Sequence, residues 1–259
     1  MAVDAVAAAT VLLLRDAPDH VETLLMRRHM ATRAFPGAYV FPGGKVERSD
    51  RELPPARWQS SRTLGWWRVE LDVDSEAAAL GFLVAAVRET FEEAGVLLAF
   101  HHDGRPVSRE DLACRAWVRA RDRLANRVVT SDWSSWLASQ DLILDLDALR
   151  LWSWWVTPAD RPHRFDTRFF AARLPSGQIA EHDQQEITEM RWLSPGRALE
   201  RSTEGTLPLR NATVRNLEVL ARFRSSREAL HAAGSGQLDR RRNGPAPDPA
   251  GEADHRQPR

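Results

Sequence analysis

The sequence predicts an α/β protein. Three observations lead there. Two apolar strand candidates near the start, residues 5–14 and Val21–Arg28, are separated by a polar turn containing Pro18 and read as an antiparallel hairpin. Residues 77–94 carry apolar side chains at helical spacing and end at Gly95, a residue suited to the left-handed cap of a helix. Further strand candidates at residues 151–156, 165–174 and Ile187–Leu193 then alternate with helical segments, so strands and helices are interleaved rather than segregated.

In chain order, the residues after the hairpin bend at Phe35-Pro36-Gly37, and Tyr39-Val40-Phe41 forms a short strand stopped by Pro42-Gly43-Gly44. Residues 48–75 hold Pro54-Pro55, scattered charges and Trp58, Trp66 and Trp67, and read as an irregular insert. After the helix at 77–94, residues 96–100 form a strand. Residues 108–127 form a helix capped by Ser108, and 131–149 a second helix broken near Asp141. Ser194-Pro195 opens a short helix with proline at its first position. Residues 207–233 form one long amphipathic helix kinked at its start. From Gly234 onward the composition turns to Gly, Pro, Arg and Asp, the signature of a disordered tail. One domain therefore spans residues 1–233, with inserts at about 51–76 and 108–149, followed by a tail at 234–259.

Composition narrows the function classes. The 259 residues carry 36 Lys+Arg and 36 Asp+Glu, so no overall charge argues for nucleic acid or an anionic membrane. Lys45 is the sole lysine, and with arginine in such excess a single arginine is weak evidence for a site. One cysteine, Cys114, excludes an intramolecular disulfide and any Cys-based metal cluster. The early apolar run of about ten residues is too short to span a bilayer, and the expected location is cytoplasmic.

The chemistry lies in the segment V-A-A-V-R-E-T-F-E-E-A-G-V, residues 84–96. At about 100° per residue, Leu80, Val84, Val87, Phe91 and Ala94 share one face and Glu89, Glu92 and Glu93 the opposite one. An acidic helix face is ordinarily a solvated one. Here the acids repel at i, i+3 and i+4, stand near the helix C-terminus where the dipole disfavours them, and have no lysine to offset them. A hard divalent cation with oxygen ligands would stabilise the arrangement, and Mg2+ is the usual partner of a few carboxylates plus substrate phosphates.

Gly43-Gly44, followed later by Arg88-Glu89-x-x-Glu92-Glu93-x-Gly95-Val96, resembles the Nudix box, G-x5-E-x7-R-E-U-x-E-E-x-G-U with U apolar. Three departures stand out. Asp50 replaces the first Glu, Thr90 occupies an apolar position, and 37 residues separate Asp50 from Arg88 where seven are expected. The resemblance implies an α/β/α sandwich with a mixed sheet and Mg2+- or Mn2+-dependent hydrolysis of a nucleoside diphosphate linked to another group. Carried over position by position, it implies Glu89, Glu92, Glu93 and the Gly43 carbonyl as metal ligands. Arg88 would orient the glutamates, and Asp50 would support them. The general base stays open among Glu89, Glu92, Glu186 and Glu189; for the last two, an exposed strand end is the plainer reading.

The interrupted box, with Trp155-Val156-Thr157-Pro158 and Arg164-Phe165-Asp166-Thr167, is similar to the Nudix branch of the mammalian peroxisomal coenzyme A diphosphatase. The implied reaction is cleavage of coenzyme A or acyl-CoA to 3′,5′-ADP and 4′-phosphopantetheine. Arg27, Arg28, Arg33, Arg164 and Arg168 are available for the 3′-phosphate and Trp155 for an adenine or acyl group; ordinary surface and core roles compete for each. The expected partner is a small-molecule nucleotide-diphosphate substrate, with no nucleic acid and no membrane, and a homodimer is open. Two other readings share the metal residues: a Nudix pyrophosphatase acting on ADP-ribose, dinucleoside polyphosphates or nucleotide sugars, and a non-catalytic ligand-sensing regulator. The intact glutamates and the lack of a DNA-reading helix pair weigh against the regulator.

Overall fold

β1 (Val6–Asp16) and β2 (Val21–Arg28) form the expected hairpin, with Leu14 opposite Thr23 and Asp16 opposite Val21. The computed structural model describes residues 4–32, 35–125, 133–182 and 187–238. β3 (Tyr39–Val40) pairs with β2, and β4 (Gly43–Lys45) pairs antiparallel with β1. The Tyr39 strand stops before Phe41-Pro42, as expected, and Gly43–Lys45 begins a separate strand on the backbone of Ala8–Thr10 of β1.

The insert is more ordered than its composition implied. It holds α1 (Arg48–Arg51), a 3-10 turn at Pro55–Arg57, β5 (Trp58–Gln59) and α2 (Leu64–Glu70). α3 (Glu76–Ala94) follows, capped by the Ser75 hydroxyl, which accepts from the amide of Ala78, and closed by Gly95 at φ 66°. β6 (Ala99–His101) begins later than expected. The preceding Leu97 is bonded at both its amide and its carbonyl to the Gln178 side chain at 3.0 Å, not to a strand.

Two helix expectations are corrected. Residues 108–127 divide into α4 (Arg109–Ala113) and α5 (Arg115–Ala125) at Cys114, whose backbone is extended. Residues 131–149 are helical only over α6 (Trp133–Ser139). Asp141 then turns at φ 51°, and β7 (Leu142–Asp145) follows, with Leu142 and Leu144 buried at the period of two that a strand requires.

β8 (Arg150–Val156), β9 (Phe165–Arg173) and β10 (Ile187–Leu193) lie close to their expected bounds, and Ser194 caps α7 (Pro195–Thr203). The long helix expected at 207–233 is two, α8 (Asn211–Leu220) and α9 (Ser226–Gly234). Ser225 caps α9, while the Ser226 amide and hydroxyl bond the Asp16 carboxylate at 2.6 and 2.9 Å; these contacts restart the chain in a new direction. Gly234 belongs to α9, and the rest of the expected tail, from residue 239, falls outside the described residues.

The main sheet has seven strands in the order β10-β2-β1-β9-β8, with β3 on β2 and β4 on β1; β1 and β9 are parallel and the other pairs antiparallel. A second sheet, β5-β7-β6, joins the two inserts. Alternation along β1 assigns the layers. Ala9, Val11 and Leu13 pack with Leu83, Val84, Val87 and Phe91 of α3, while Leu12 and Leu14 pack with Leu217 and Leu220 of α8 and Ala229 of α9. The result is an α/β/α sandwich with a mixed sheet. Among the described residues no helix is long and apolar enough to cross a membrane.

Candidate active site

The acidic face of α3 is not a solvated one. Glu89, Glu92 and Glu93 are only 1%, 4% and 6% exposed, because α1 and α2 of the insert and the β4 strand of the sheet pack around the helix. Burying carboxylates is costly unless each is paired or hydrogen-bonded. Arg88, 3% exposed, supplies much of that pairing. Its Nε and Nη2 donate to the two Asp50 carboxylate oxygens at 2.8 and 3.0 Å, a bidentate fork. Nη1 donates to Glu89 Oε1 at 2.9 Å and to both Glu92 oxygens at 3.2 Å, and Nη2 also reaches the Lys45 carbonyl at 2.9 Å. Burial alone would pull the guanidinium pKa down, but Glu89, Asp50 and Glu92 hold it well above its ordinary value. Removing one partner of such a buried cluster typically costs about 3–5 kcal/mol, since the remaining charge is left unpaired.

Asp50 is fully buried, and its second oxygen accepts the Glu47 amide at 2.8 Å. The chain between Asp50 and Arg88, about 30 residues longer than the box expects, therefore leaves and returns to the same guanidinium. Gly43 and Gly44 let the strand lie close to the helix on one side and to β1 on the other. The Gly43 amide donates to Glu93 Oε2 at 2.8 Å, and a Cβ on Gly43 would stand 2.4 Å from the Ala9 carbonyl oxygen. A Cβ on Gly44 would stand 2.4–2.5 Å from the Glu89 carboxylate.

Arg121, which the sequence did not single out, completes the arrangement. From α5 it donates through Nε to the carbonyls of Phe91 and Glu92 at 2.9 and 3.0 Å, and through Nη2 to those of Glu93 and Glu181 at 3.0 and 2.6 Å. A cation thus sits at the helix C-terminus, opposing the unfavourable dipole beneath the glutamates. The sole tyrosine was also missed. The Tyr39 hydroxyl donates to Glu189 at 2.6 Å, and its pKa is raised first by burial and then by this bond and the Glu189 charge. Glu189 is held below the usual carboxylate range: burial opposes this, but the bonds from Tyr39 and Arg191 outweigh it. Nothing in sequence spacing links residues 150 positions apart.

The remaining expected residues divide. Arg27 and Arg28 end β2 beside β3, on the chain path leading into Gly43-Gly44. Arg33 and Glu186 lie outside the described residues. Arg164 turns back to the Thr157 and Pro158 carbonyls, both at 3.1 Å, and clasps its own hairpin. Arg168 is buried between the Trp154 and Phe82 rings, paired with Asp166 and bonded to the Leu71 carbonyl, so it fastens the insert to the sheet and is no surface cation. Trp155 packs into the core layer on the α8–α9 side, across the sheet from the glutamates.

The donor set is all oxygen and suits a hard divalent cation. Among the described residues, however, no three acidic, His or Cys side chains converge on one point: Arg88 holds Glu89 and Glu92, and Glu93 turns to the Gly43 amide. The fit is thus one of chemistry, burial and a glycine cradle.

The NUDT19 Nudix domain family matches residues 68–218. Acyl-coenzyme A diphosphatase NUDT19 of Gallus gallus is 32% identical over 237 residues, covering 75% of this chain and 62% of that protein. The Xenopus laevis protein of the same name is 28% identical over 206 residues, covering 69% and 54%. The chain thus spans little more than half the length of these curated relatives. Among solved structures, a NUDIX hydrolase from Alicyclobacillus acidocaldarius superposes with a TM-score of 0.69 at 29% identity, over 88% of this chain and 96% of that one. With the family match covering more than half of its residues and carrying Arg88, Glu89, Glu92 and Glu93, the chain belongs to the NUDT19 Nudix domain family.

Proposed function

We propose that the protein is a divalent-metal-dependent Nudix diphosphatase that cleaves coenzyme A or acyl-CoA to 3′,5′-ADP and the corresponding 4′-phosphopantetheine. The observation that carries the reading is the buried Arg88–Asp50–glutamate cluster, closed across the interrupted box, in a chain related to proteins named acyl-coenzyme A diphosphatases. Glu89, Glu92, Glu93 and the Gly43 carbonyl would hold Mg2+ or Mn2+. The ion supplies charge neutralisation of the diphosphate and a more acidic water. Arg88 fixes the Glu89 and Glu92 carboxylates in direction by its hydrogen bonds. Glu89 and Glu92 are the site's own proton acceptors for the attacking water. Arg27 and Arg28, at the end of β2, supply positive charge for the 3′-phosphate.

The test is kcat/KM for coenzyme A, dephospho-CoA and ADP-ribose at one Mg2+ concentration. Coenzyme A should lead dephospho-CoA by roughly 1–3 kcal/mol in transition-state binding, the range for hydrogen bonds to a charged group. Equal values would remove the 3′-phosphate pocket, and ADP-ribose ahead of both would transfer the protein to another diphosphate substrate.

A further inference from the structure

At the end of the sheet where β1 and β9 finish, five basic side chains from four parts of the chain line one open cleft of about 490 Å³. Arg62 comes from the insert, Arg150 from the first residue of β8, Arg173 from the last of β9, and Arg227 and His231 from α9. Gly234 forms part of the wall; a Cβ there would stand 3.4 Å from the Arg150 Nε. The cleft shares no residue with the glutamate cluster. Arg173 pairs with Leu14 at the far end of β1, whereas Gly43 and Gly44 pair with Thr10 and Ala9. Four residues of strand separate the two positions, about 13 Å. α9 also belongs to the layer opposite α3.

Gathering cations in this way is unfavourable without a counter-charge. Burial and the proximity of Arg62 draw the Arg150 guanidinium below its ordinary pKa. Two of the four arginines have partners: Arg173 is ion-paired with Asp16, and Arg150 donates to the Asp147 and Leu149 carbonyls with the Asp145 and Asp147 charges nearby, whereas Arg62 and Arg227 make no ion pair among the described residues. Asp16 accepts from Arg173 at 3.1 Å but also from the amide and hydroxyl of Ser226, and Asp147 ties down Ser60 and Ser61 of the insert. Arg62 is braced over the Trp66 ring at 4.4 Å, and Arg227 is exposed on α9. Guanidinium forks match phosphate oxygens two at a time, and the volume lies in the range of about 300–1,000 Å³ typical of small-molecule sites. We propose that this cleft is a second binding site, for a multiply phosphorylated small molecule.

The test uses the full chain with EDTA present, so that no metal-bridged phosphate occupies the glutamates. Tripolyphosphate, ADP and orthophosphate are each titrated by calorimetry. Tripolyphosphate should bind one to one and more tightly than orthophosphate. Binding by ADP as well would extend the site to nucleotides, and tripolyphosphate alone would restrict it to inorganic chains; both support the proposal. Arg62→Ala and Arg227→Ala should each weaken tripolyphosphate by about tenfold or more at an unchanged thermal midpoint, the scale of a lost charge-assisted hydrogen bond. Glu93→Gln should leave it unaltered. No binding, orthophosphate equal to tripolyphosphate, or affinity unmoved by both arginine variants would overturn the proposal.

Discussion

Gly44 stands against the Glu89 carboxylate and Gly43 against the Ala9 carbonyl, so the two missing side chains let β4 lie close to α3 on one side and to β1 on the other. Gly44→Ala should displace Glu89 and lower activity without unfolding the protein, because its backbone needs no left-handed conformation. Glu93→Gln keeps an oxygen to accept the Gly43 amide but removes the charge. Its turnover should fall by roughly two orders of magnitude or more, at least the scale seen when a metal site loses a supporting partner. Turnover and thermal midpoint measured together check both variants; unchanged turnover in Glu93→Gln would remove that residue from the site. The three glutamates were legible because helical spacing alone puts them on one face. Asp50 was legible only as a resemblance, since the insert hides its distance from Arg88 until the chain is folded. Tyr39 and Arg121 were not legible: each meets its partner through tertiary packing, without a spacing signal.

At the scale of elements, α3 carries acids where its dipole opposes them, a cost visible in the sequence. The remedy was not visible, because Arg121 arrives from a helix about 30 residues later to bond four carbonyls. Arg121→Ala should destabilise the protein by about 2 kcal/mol or more, combining lost charge-assisted bonds with the dipole term, as read by urea unfolding. A loss within experimental error would show that the C-terminal carbonyls are satisfied without it. The misread helices follow from the same limit. Leu142 and Leu144 alternate over too few residues to outweigh the helical composition around them, and the break between α8 and α9 depends on Asp16, more than 200 residues away.

At the scale of the whole molecule, the inserts are fastened to the core rather than appended to it. Arg168 reaches from β9 to the Leu71 carbonyl, Asp147 bonds Ser60 and Ser61, and Trp67 and Leu71 are fully buried in the layer that packs α3. Limited proteolysis should therefore release neither residues 51–76 nor 108–149 as a stable folded fragment, and recovery of one would contradict a single cooperative domain. The same closure brings Asp50 to Arg88 and gives the glutamates their buried setting, so the fold and the proposed chemistry rest on one set of contacts. The most direct test is to incubate the protein with coenzyme A and Mg2+ and weigh the products by mass spectrometry. The account predicts 3′,5′-ADP and 4′-phosphopantetheine from the wild type, lost on chelation and in Glu93→Gln. Intact coenzyme A, or cleavage that persists after exhaustive chelation, would contradict it.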